Sequence, residues 1–213
     1  NYSIVSKFID NVRLSPDSPA LDDNVEFLTY TQVDVLSNNV AYHISLIQNE
    51  SSASVLSVGI SLERGNDMII AMLGVLKAGA IYVPIDPNQP ADRKRYMYEN
   101  ANCDYLICDE DNTFSDLSNH CDDPYVKRGL IENLRVTEDP SSADGRSPKV
   151  HDVACILHTS GSTGVPKGAA LTHLGLLNTS FSLSEKMRLD ATSTVLHYAS
   201  LGFDSATLEW LLA

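Results

Sequence analysis

The sequence lacks the features of a membrane-spanning, exported or nucleic-acid-binding protein. Its longest apolar run, residues 68–76, is less than half as long as the ~20 residues that span a bilayer, and no basic segment followed by an apolar one opens the chain. Only 15 residues are Lys or Arg against 28 Asp or Glu, which gives a formal net charge of -13. Binding to a phosphate backbone needs a surplus of positive charge. We therefore expect no membrane span, no export signal and no nucleic acid as the main partner.

Paired cysteines are also missing from the sequence. The four cysteines, Cys103, Cys108, Cys121 and Cys155, form no CxxC pair, and no pair of histidines follows at zinc-finger spacing. This usage is typical of reduced thiols in a cytoplasmic protein. It predicts no metal site.

The composition and periodicity that are present predict a folded α/β chain. Of its 213 residues, 43% are hydrophobic and 20% are charged, as in ordinary globular domains. The spacing of apolar residues predicts helices at residues 4–12, 30–47, 67–77, 90–100 and 174–187 and from residue 203 onward, and strands at residues 55–62, 81–85, 105–108, 153–158, 168–171 and 194–198. A hairpin is predicted at residues 20–28, and polar stretches near residues 109–123 and 137–152 indicate exposed loops. Strands and helices that alternate in this way predict mixed, mainly parallel sheets flanked by helices.

The connection after the strand at residues 153–158 has the strongest chemical signal. Four hydroxyl residues, three glycines and one lysine lie within ten positions: Thr159, Ser160, Gly161, Ser162, Thr163, Gly164, Val165, Pro166, Lys167 and Gly168. Glycines allow backbone N–H groups to converge on an anion, hydroxyls add neutral donors, and a lysine adds a point charge. The pattern predicts a polyphosphate-binding loop, and a flexible connection rich in Gly and Ser is the alternative interpretation.

Two common nucleotide-binding patterns do not account for this loop. Lys167 precedes Gly168, so the Walker order of Gly-Lys-Ser/Thr is absent, and the chain has no GxGxxG.

Four segments resemble the adenylate-forming superfamily, and specifically the amino-acid-activating adenylation domains of nonribosomal peptide synthetases. Residues 28–32 resemble its early Leu-Thr-Tyr-x-Glu-Leu segment, and residues 76–87 match its second motif. Residues 159–168 match its phosphate loop, and residues 203–205 resemble its Phe-Asp-x-Ser segment. The order and spacing also fit. The resemblance covers essentially the whole chain, which is expected to be the leading part of the large N-terminal domain of an adenylate-forming enzyme, truncated after the first substrate-pocket segment.

Some positions depart from the family pattern or have two interpretations. Gln32 stands where the family usually has Glu, and His158 stands where Tyr usually precedes the phosphate loop. We interpret His158 as a tolerated substitution in preference to a proton-transfer group. His173 and Asn178 match family positions after the loop, but they could equally cap and pack the helix that follows.

The resemblance implies an enzyme that uses ATP and Mg²⁺ to convert an amino acid to its aminoacyl-adenylate. The enzyme then passes the acyl group to the phosphopantetheine thiol of a carrier protein. It implies that residues 159–164 bind the phosphates and that Lys167 stabilises charge on the β- and γ-phosphates. The family's Mg²⁺-holding acidic residue, ribose-binding Asp, hinge and C-terminal lysine would lie in the C-terminal part of the domain, so this chain alone is expected to be inactive.

Asp204 is the predicted contact for the amino group of the substrate. In the family, the Asp of the Phe-Asp-x-Ser segment pairs with the ammonium of the amino acid, which is costly to bury without a carboxylate. An N-cap role is the alternative for Asp204. The resemblance makes Ser205 and Leu208 the next pocket-lining positions. An acyl- or aryl-acid coenzyme A ligase, which would not need Asp204, and a non-catalytic interaction fragment of the same fold remain alternative functions.

Overall fold

The computed structural model describes residues 2–109, 128–134, 148–159, 166–201 and 203–212. These ranges contain eight strands and seven helices. The strands are β1 (Pro19–Asp22), β2 (Phe27–Thr29), β3 (Ser57–Ser61), β4 (Ile81–Pro84), β5 (Tyr105–Cys108), β6 (Arg128–Leu130), β7 (Val153–Thr159) and β8 (Lys167–Thr172). The helices are α1 (Ile4–Leu14), α2 (Tyr30–Glu50), α3 (Asn66–Lys77), α4 (Ala91–Asn100), α5 (Ile131–Leu134), α6 (His173–Met187) and α7 (Asp204–Leu212).

Six of the strands form one mixed sheet in the order β6-β5-β3-β4-β7-β8, and β1 and β2 form a separate antiparallel hairpin. Strand β3 pairs in parallel with β4 and β5, β4 pairs in parallel with β7, and β5 with β6. Strand β8 runs antiparallel to β7. The predicted mixed, mainly parallel sheet is confirmed. Its parallel strands share one carboxyl edge, where open α/β sheets bind their ligands.

Helices pack against both faces of this sheet. Successive residues of a strand point to opposite faces. Tyr82 of β4 therefore joins the large buried cluster that contains residues of α2 and α3, whereas Val83 joins a smaller cluster with Met97 of α4. Among the described helices, none is long and apolar enough to cross a membrane.

Local sequence signals determine where several helices begin and end. The Thr29 hydroxyl accepts from the Gln32 N–H and the Gln32 side chain accepts from the Thr29 N–H, which is a capping box with Gln in the place of Glu. Helix α3 ends at Lys77, and Gly79, two residues later, has a φ of 71° in the left-handed region. The Gly79 N–H donates to Leu76 O and the Ala80 N–H to Val75 O, which is a Schellman motif. Gly79 thereby turns the chain from α3 into β4.

Lys77 is a buried cation that is paired with a carboxylate. Its Nζ donates to Asp34 Oδ1 at 2.6 Å, to Asn38 Oδ1 at 2.8 Å and to the Asp34 carbonyl at 3.0 Å. The Phe8 ring lies 5.1 Å below it. Burial lowers the pKa of Lys77, and the Asp34 carboxylate partly reverses this shift. Lys77 of α3 therefore contacts both α1, through Phe8, and α2, through Asp34 and Asn38.

Two parts of the chain differ from the sequence prediction. The strand predicted at residues 194–198 is wrong, because this segment is irregular and its Tyr198 N–H bonds a side-chain carboxylate instead of a strand. Strand β6 and helix α5 were not predicted, since a three-residue strand and a four-residue helix carry too short a pattern. The predicted loops fall mostly on residues 110–127 and 135–147, which lie outside the described residues.

Candidate active site

The predicted phosphate loop begins and ends at the carboxyl edge of the sheet. Thr159 is the last residue of β7, Lys167 is the first residue of β8, and the two are opposite each other in the antiparallel pair. Both residues are exposed. Ser160, Gly161, Ser162, Thr163 and Gly164 lie outside the described residues. The structure therefore brings the hydroxyl of Thr159 and the ammonium-bearing residue Lys167 to the same end of one strand pair.

His158 and Gly168 form a tightly packed base below these two residues. The Nε2 of His158 lies 3.1 Å from Asn100 Oδ1, within hydrogen-bonding distance. Burial lowers the pKa of His158, and the positive charge of Arg93 lowers it further. A Cβ added at Gly168 would meet Ile156 Cγ2 at 3.0 Å and Asn100 Oδ1 at 3.3 Å. The burial and tight packing of His158 favour its interpretation as a tolerated substitution.

The predicted substrate contacts lie on the first two turns of α7. Asp204 and Ser205 are exposed, and Leu208 is half-buried. Asp204 is the first residue of the helix and not the residue before it. The helix is anchored on its inner side, where Thr207 is buried, the Tyr82 hydroxyl lies 3.4 Å from Thr207 Oγ1, and the Trp210 ring meets the Tyr82 ring edge-on.

The irregular segment before α7 lies over the carboxyl edge of β3 and β4. Arg64, which follows β3, donates from Nη2 to the Ala199 carbonyl at 2.9 Å. The Ser200 hydroxyl donates to Asp86 Oδ2, just after β4, at 3.2 Å. Because β4 is the neighbour of β7, this segment and the base of the phosphate loop share one edge of the sheet. The arrangement can present a carboxylate and a cation-bearing loop to one substrate.

His173 and Asn178 have different environments. His173 is only 1% exposed, and its Nδ1 accepts from the Ile4 N–H at 3.4 Å, which links α6 to α1. Burial lowers the pKa of His173 to about 4, and the nearby Asp152 carboxylate offsets part of this shift. Thr172, not His173, caps α6 by accepting from the Gly175 N–H, and Asn178 is exposed. The packing interpretation therefore suits His173.

Metal-ligating side chains do not converge in the described ranges. These ranges contain no group of three or more His, Cys, Asp or Glu side chains that could hold a metal ion.

Comparison with known proteins identifies the family. The family model described as AMP-binding enzyme matches residues 8–213. The chain belongs to this family. The AMP-binding chain is 33% identical to a linear gramicidin synthase of Brevibacillus parabrevis over 97% of its own length and 3% of that protein. It is 31% identical to bacitracin synthase 3 of Bacillus licheniformis, with 97% of the chain and 3% of that protein covered. The predicted resemblance to nonribosomal adenylation domains is confirmed.

A further relative supports this assignment, and a solved structure shares the fold. Novobiocin biosynthesis protein H of Streptomyces niveus is 33% identical over 95% of the AMP-binding chain and 34% of its own length. The N-terminal subdomain of Klebsiella oxytoca NpsA, in complex with 3-hydroxybenzoyl-AMSN, superimposes with a TM-score of 0.79 at 24% identity, covering 99% of this chain and 51% of that one. The AMP-binding chain thus spans about a third or less of the curated relatives named here. The solved structure confirms the α/β fold.

Several residues that position the site were not predicted from the sequence. The sequence places Tyr82 only within the family motif at residues 76–87, and it gives no sign that Arg64 or Glu209 contributes to the site. Each acts through a contact with a residue more than ten positions away. Short-range periodicity contains no signal for such contacts, so only the fold could reveal them.

Proposed function

We propose that the protein containing this chain activates an amino acid with ATP and loads it on a carrier protein. The observation that carries the proposal is the carboxyl edge of the sheet. The Thr159 and Lys167 ends of the phosphate loop lie at this edge, and the segment leading into Asp204 is bonded to residues that follow β3 and β4 at the same edge. Membership of the AMP-binding family and the nonribosomal relatives support the use of ATP.

The proposed reaction has two steps. A carboxylate oxygen of the amino acid attacks the α-phosphorus of ATP, the bond from that phosphorus to the bridging oxygen breaks, and pyrophosphate leaves. The phosphopantetheine thiol of the carrier protein then attacks the acyl carbon, loses its proton, and displaces AMP. When bound with ATP, Mg²⁺ would neutralise part of the charge of the phosphates.

In this proposal the chain's own residues bind and orient the substrates. The N–H and hydroxyl groups of residues 159–164 hold the phosphates, and Lys167 stabilises the charge that develops on the departing pyrophosphate. Asp204 holds the ammonium of the amino acid, with Ser205 and Leu208 beside its side chain. Asp204 and Ser205 are exposed in this chain, so both are accessible to a substrate.

The test is a comparison of two substrates with two enzymes. Pyrophosphate exchange is measured in the complete protein for an amino acid and for its des-amino counterpart, with wild type and with Asp204→Ala. Where the rest of the domain encloses this turn, loss of the ion pair is expected to cost about 3 to 5 kcal/mol. Asp204→Ala should therefore lose most activity toward the amino acid, while the des-amino compound gains relative to it.

The control variant is Asp17→Ala, which removes an exposed carboxylate from the turn between α1 and β1 and should change neither rate. A wild-type enzyme that prefers the des-amino acid would contradict the proposal, and it would favour an acid-activating ligase instead.

A further inference from the structure

The segment that leads into α7 is held by two charged side chains from opposite directions. The backbone N–H groups of Tyr198 and Ala199 both donate to one oxygen of Glu209, Oε2, at 2.8 and 2.9 Å. The carbonyl of Ala199 accepts from Arg64 Nη2 at 2.9 Å. Both the donor and the acceptor of the Ala199 backbone are therefore paired with ionised groups.

These bonds are stronger than ordinary turn contacts. Hydrogen bonds to an ionised partner are shorter and roughly twice as strong as neutral ones, and consecutive N–H groups that converge on one oxygen form a natural anion site. Glu209 is half-buried, which limits the competition from water. The carboxylate thus satisfies the backbone N–H groups of Tyr198 and Ala199, which have no strand partner in the part of the chain that the structure describes.

The position of Glu209 in the chain makes this contact a loop closure around Asp204. Glu209 lies on α7, and Tyr198 lies before it, so the bonds join the two ends of a loop that contains residues 203–205. The loop is fixed further by the Phe203 N–H, which donates to the Ser200 carbonyl at 3.0 Å. Asp204 is thereby confined between two fixed points.

Neither fixed point is free to move on its own. Thr207, one turn along α7, is buried against Tyr82, and the Tyr82 side chain is fully buried in the core. On the other side, Arg64 follows β3 directly, and the Ser200 hydroxyl bonds Asp86 after β4. The loop is therefore bonded to residues that follow β3 and β4 at the carboxyl edge of the sheet.

We propose that Glu209 is a positioning residue for recognition of the amino acid, and that Arg64 assists it from the sheet side. The proposal rests on the function proposed above. Glu209 acts through the backbone of Tyr198 and Ala199 and so sets the place of Asp204. Its loss should weaken binding of the amino acid and leave binding of ATP nearly unchanged, because Thr159 and Lys167 are held by the β7–β8 pairing instead.

The experiment measures KM for the amino acid and for ATP separately, by pyrophosphate exchange in the complete protein. Glu209→Ala should raise the amino-acid KM by about tenfold or more, since two hydrogen bonds to a charged group are lost, and should change the ATP KM by less than about threefold. Glu209→Gln should stay within about threefold of wild type, because one amide oxygen can accept both N–H groups. Arg64→Ala should raise only the amino-acid KM, by several-fold.

A second readout does not depend on activity. Backbone amide hydrogen exchange of the peptide spanning residues 194–200 should be slow at Tyr198 and Ala199 in wild type and faster in Glu209→Ala. Glu185→Ala, which removes an exposed carboxylate from α6, is the matched control and should change neither KM nor exchange.

The outcomes separate this inference from the proposed function. A wild-type protein with no amino-acid-dependent exchange overturns both. A wild-type protein that is active while Glu209→Ala leaves both KM values unchanged, or raises them equally, overturns only the inference. An equal rise of the amino-acid KM in Glu209→Gln and Glu209→Ala also overturns it, because an acceptor oxygen at this position would then have no effect. If Glu209→Ala does not fold, the KM values of Glu209→Gln and Arg64→Ala decide.

Discussion

The closest approach between α2 and α3 makes Gly74 a sensitive position for stability. A Cβ added at Gly74 would lie 2.5 Å from Val40 Cβ, 2.6 Å from Val40 Cγ1 and 2.9 Å from the Ser37 carbonyl oxygen. Two of these three atoms, a Cβ and a backbone oxygen, cannot move by a side-chain rotation. The two helices must therefore separate to accept even one methyl group.

Two opposing effects determine how much Gly74→Ala changes the free energy of unfolding. Overpacking a dense core costs about 1 to 3 kcal/mol, and the rigid neighbours point to the upper end of this range. The better helix propensity of Ala offsets about 1 kcal/mol. We expect Gly74→Ala to lower the free energy of unfolding by about 2 kcal/mol.

Gly175 in α6 offers a matched control for this substitution. A Cβ there would meet only Thr172 Oγ1, at an ordinary 3.4 Å, and Gly175 is exposed. Gly175→Ala should therefore be neutral or stabilising by up to about 1 kcal/mol. Urea denaturation of both variants of the adenylation domain measures the difference. Equal stability of the two variants would refute the packing argument.

Three further changes are expected to have distinct effects. Lys77→Ala should destabilise the domain by about 2 to 3 kcal/mol, as measured by urea denaturation. This is less than the usual cost for a fully buried pair, because water can reach part of Asp34. For His173, the folded state holds the pKa at about 4 while the unfolded chain has about 6.5, so unfolding takes up a proton and stability falls as pH drops from about 6.5 to about 4. His173→Gln should lose this dependence in pH-resolved thermal melts. Lys167→Ala should lower kcat/KM for pyrophosphate exchange by about 10² to 10³ and leave the affinity for the amino acid nearly unchanged.

Each of these expectations has a control or a contradicting result. Lys186→Ala removes an exposed lysine from α6 and should match wild type in stability and exchange. If the melting temperatures of wild type and His173→Gln fell equally as the pH dropped, this would contradict the claim that burial lowers the pKa of His173. Exchange within twofold of wild type in Lys167→Ala would contradict an electrostatic role for that lysine.

The elements with strong local signals could be predicted from the sequence. Helix α2 has a capping box at Thr29 and a regular apolar stripe, and α3 is followed by a glycine that the left-handed turn requires. The phosphate-loop motif and the Phe-Asp-Ser segment identified the family because both are short and distinctive. These signals depend on neighbours within a few positions.

The features that could not be predicted depend on contacts with residues far along the chain. Residues 194–198 are rich in β-branched, aliphatic and aromatic residues, as strands are, but the Glu209 carboxylate takes the N–H groups of Tyr198 and Ala199. The same reasoning applies to Tyr82, whose role in holding α7 requires Thr207 and Trp210 to be present. Tertiary contacts override local preference at these positions.

The most direct test of the central claim is amino-acid-dependent pyrophosphate exchange by the complete protein. Labelled pyrophosphate is incubated with the enzyme, ATP and Mg²⁺, and each amino acid is added in turn. The account predicts that label enters ATP for at least one amino acid, that omission of the amino acid abolishes the exchange, and that the des-amino counterpart does not replace it. Exchange that no amino acid supports, or that a simple carboxylic acid supports better, would contradict the assignment.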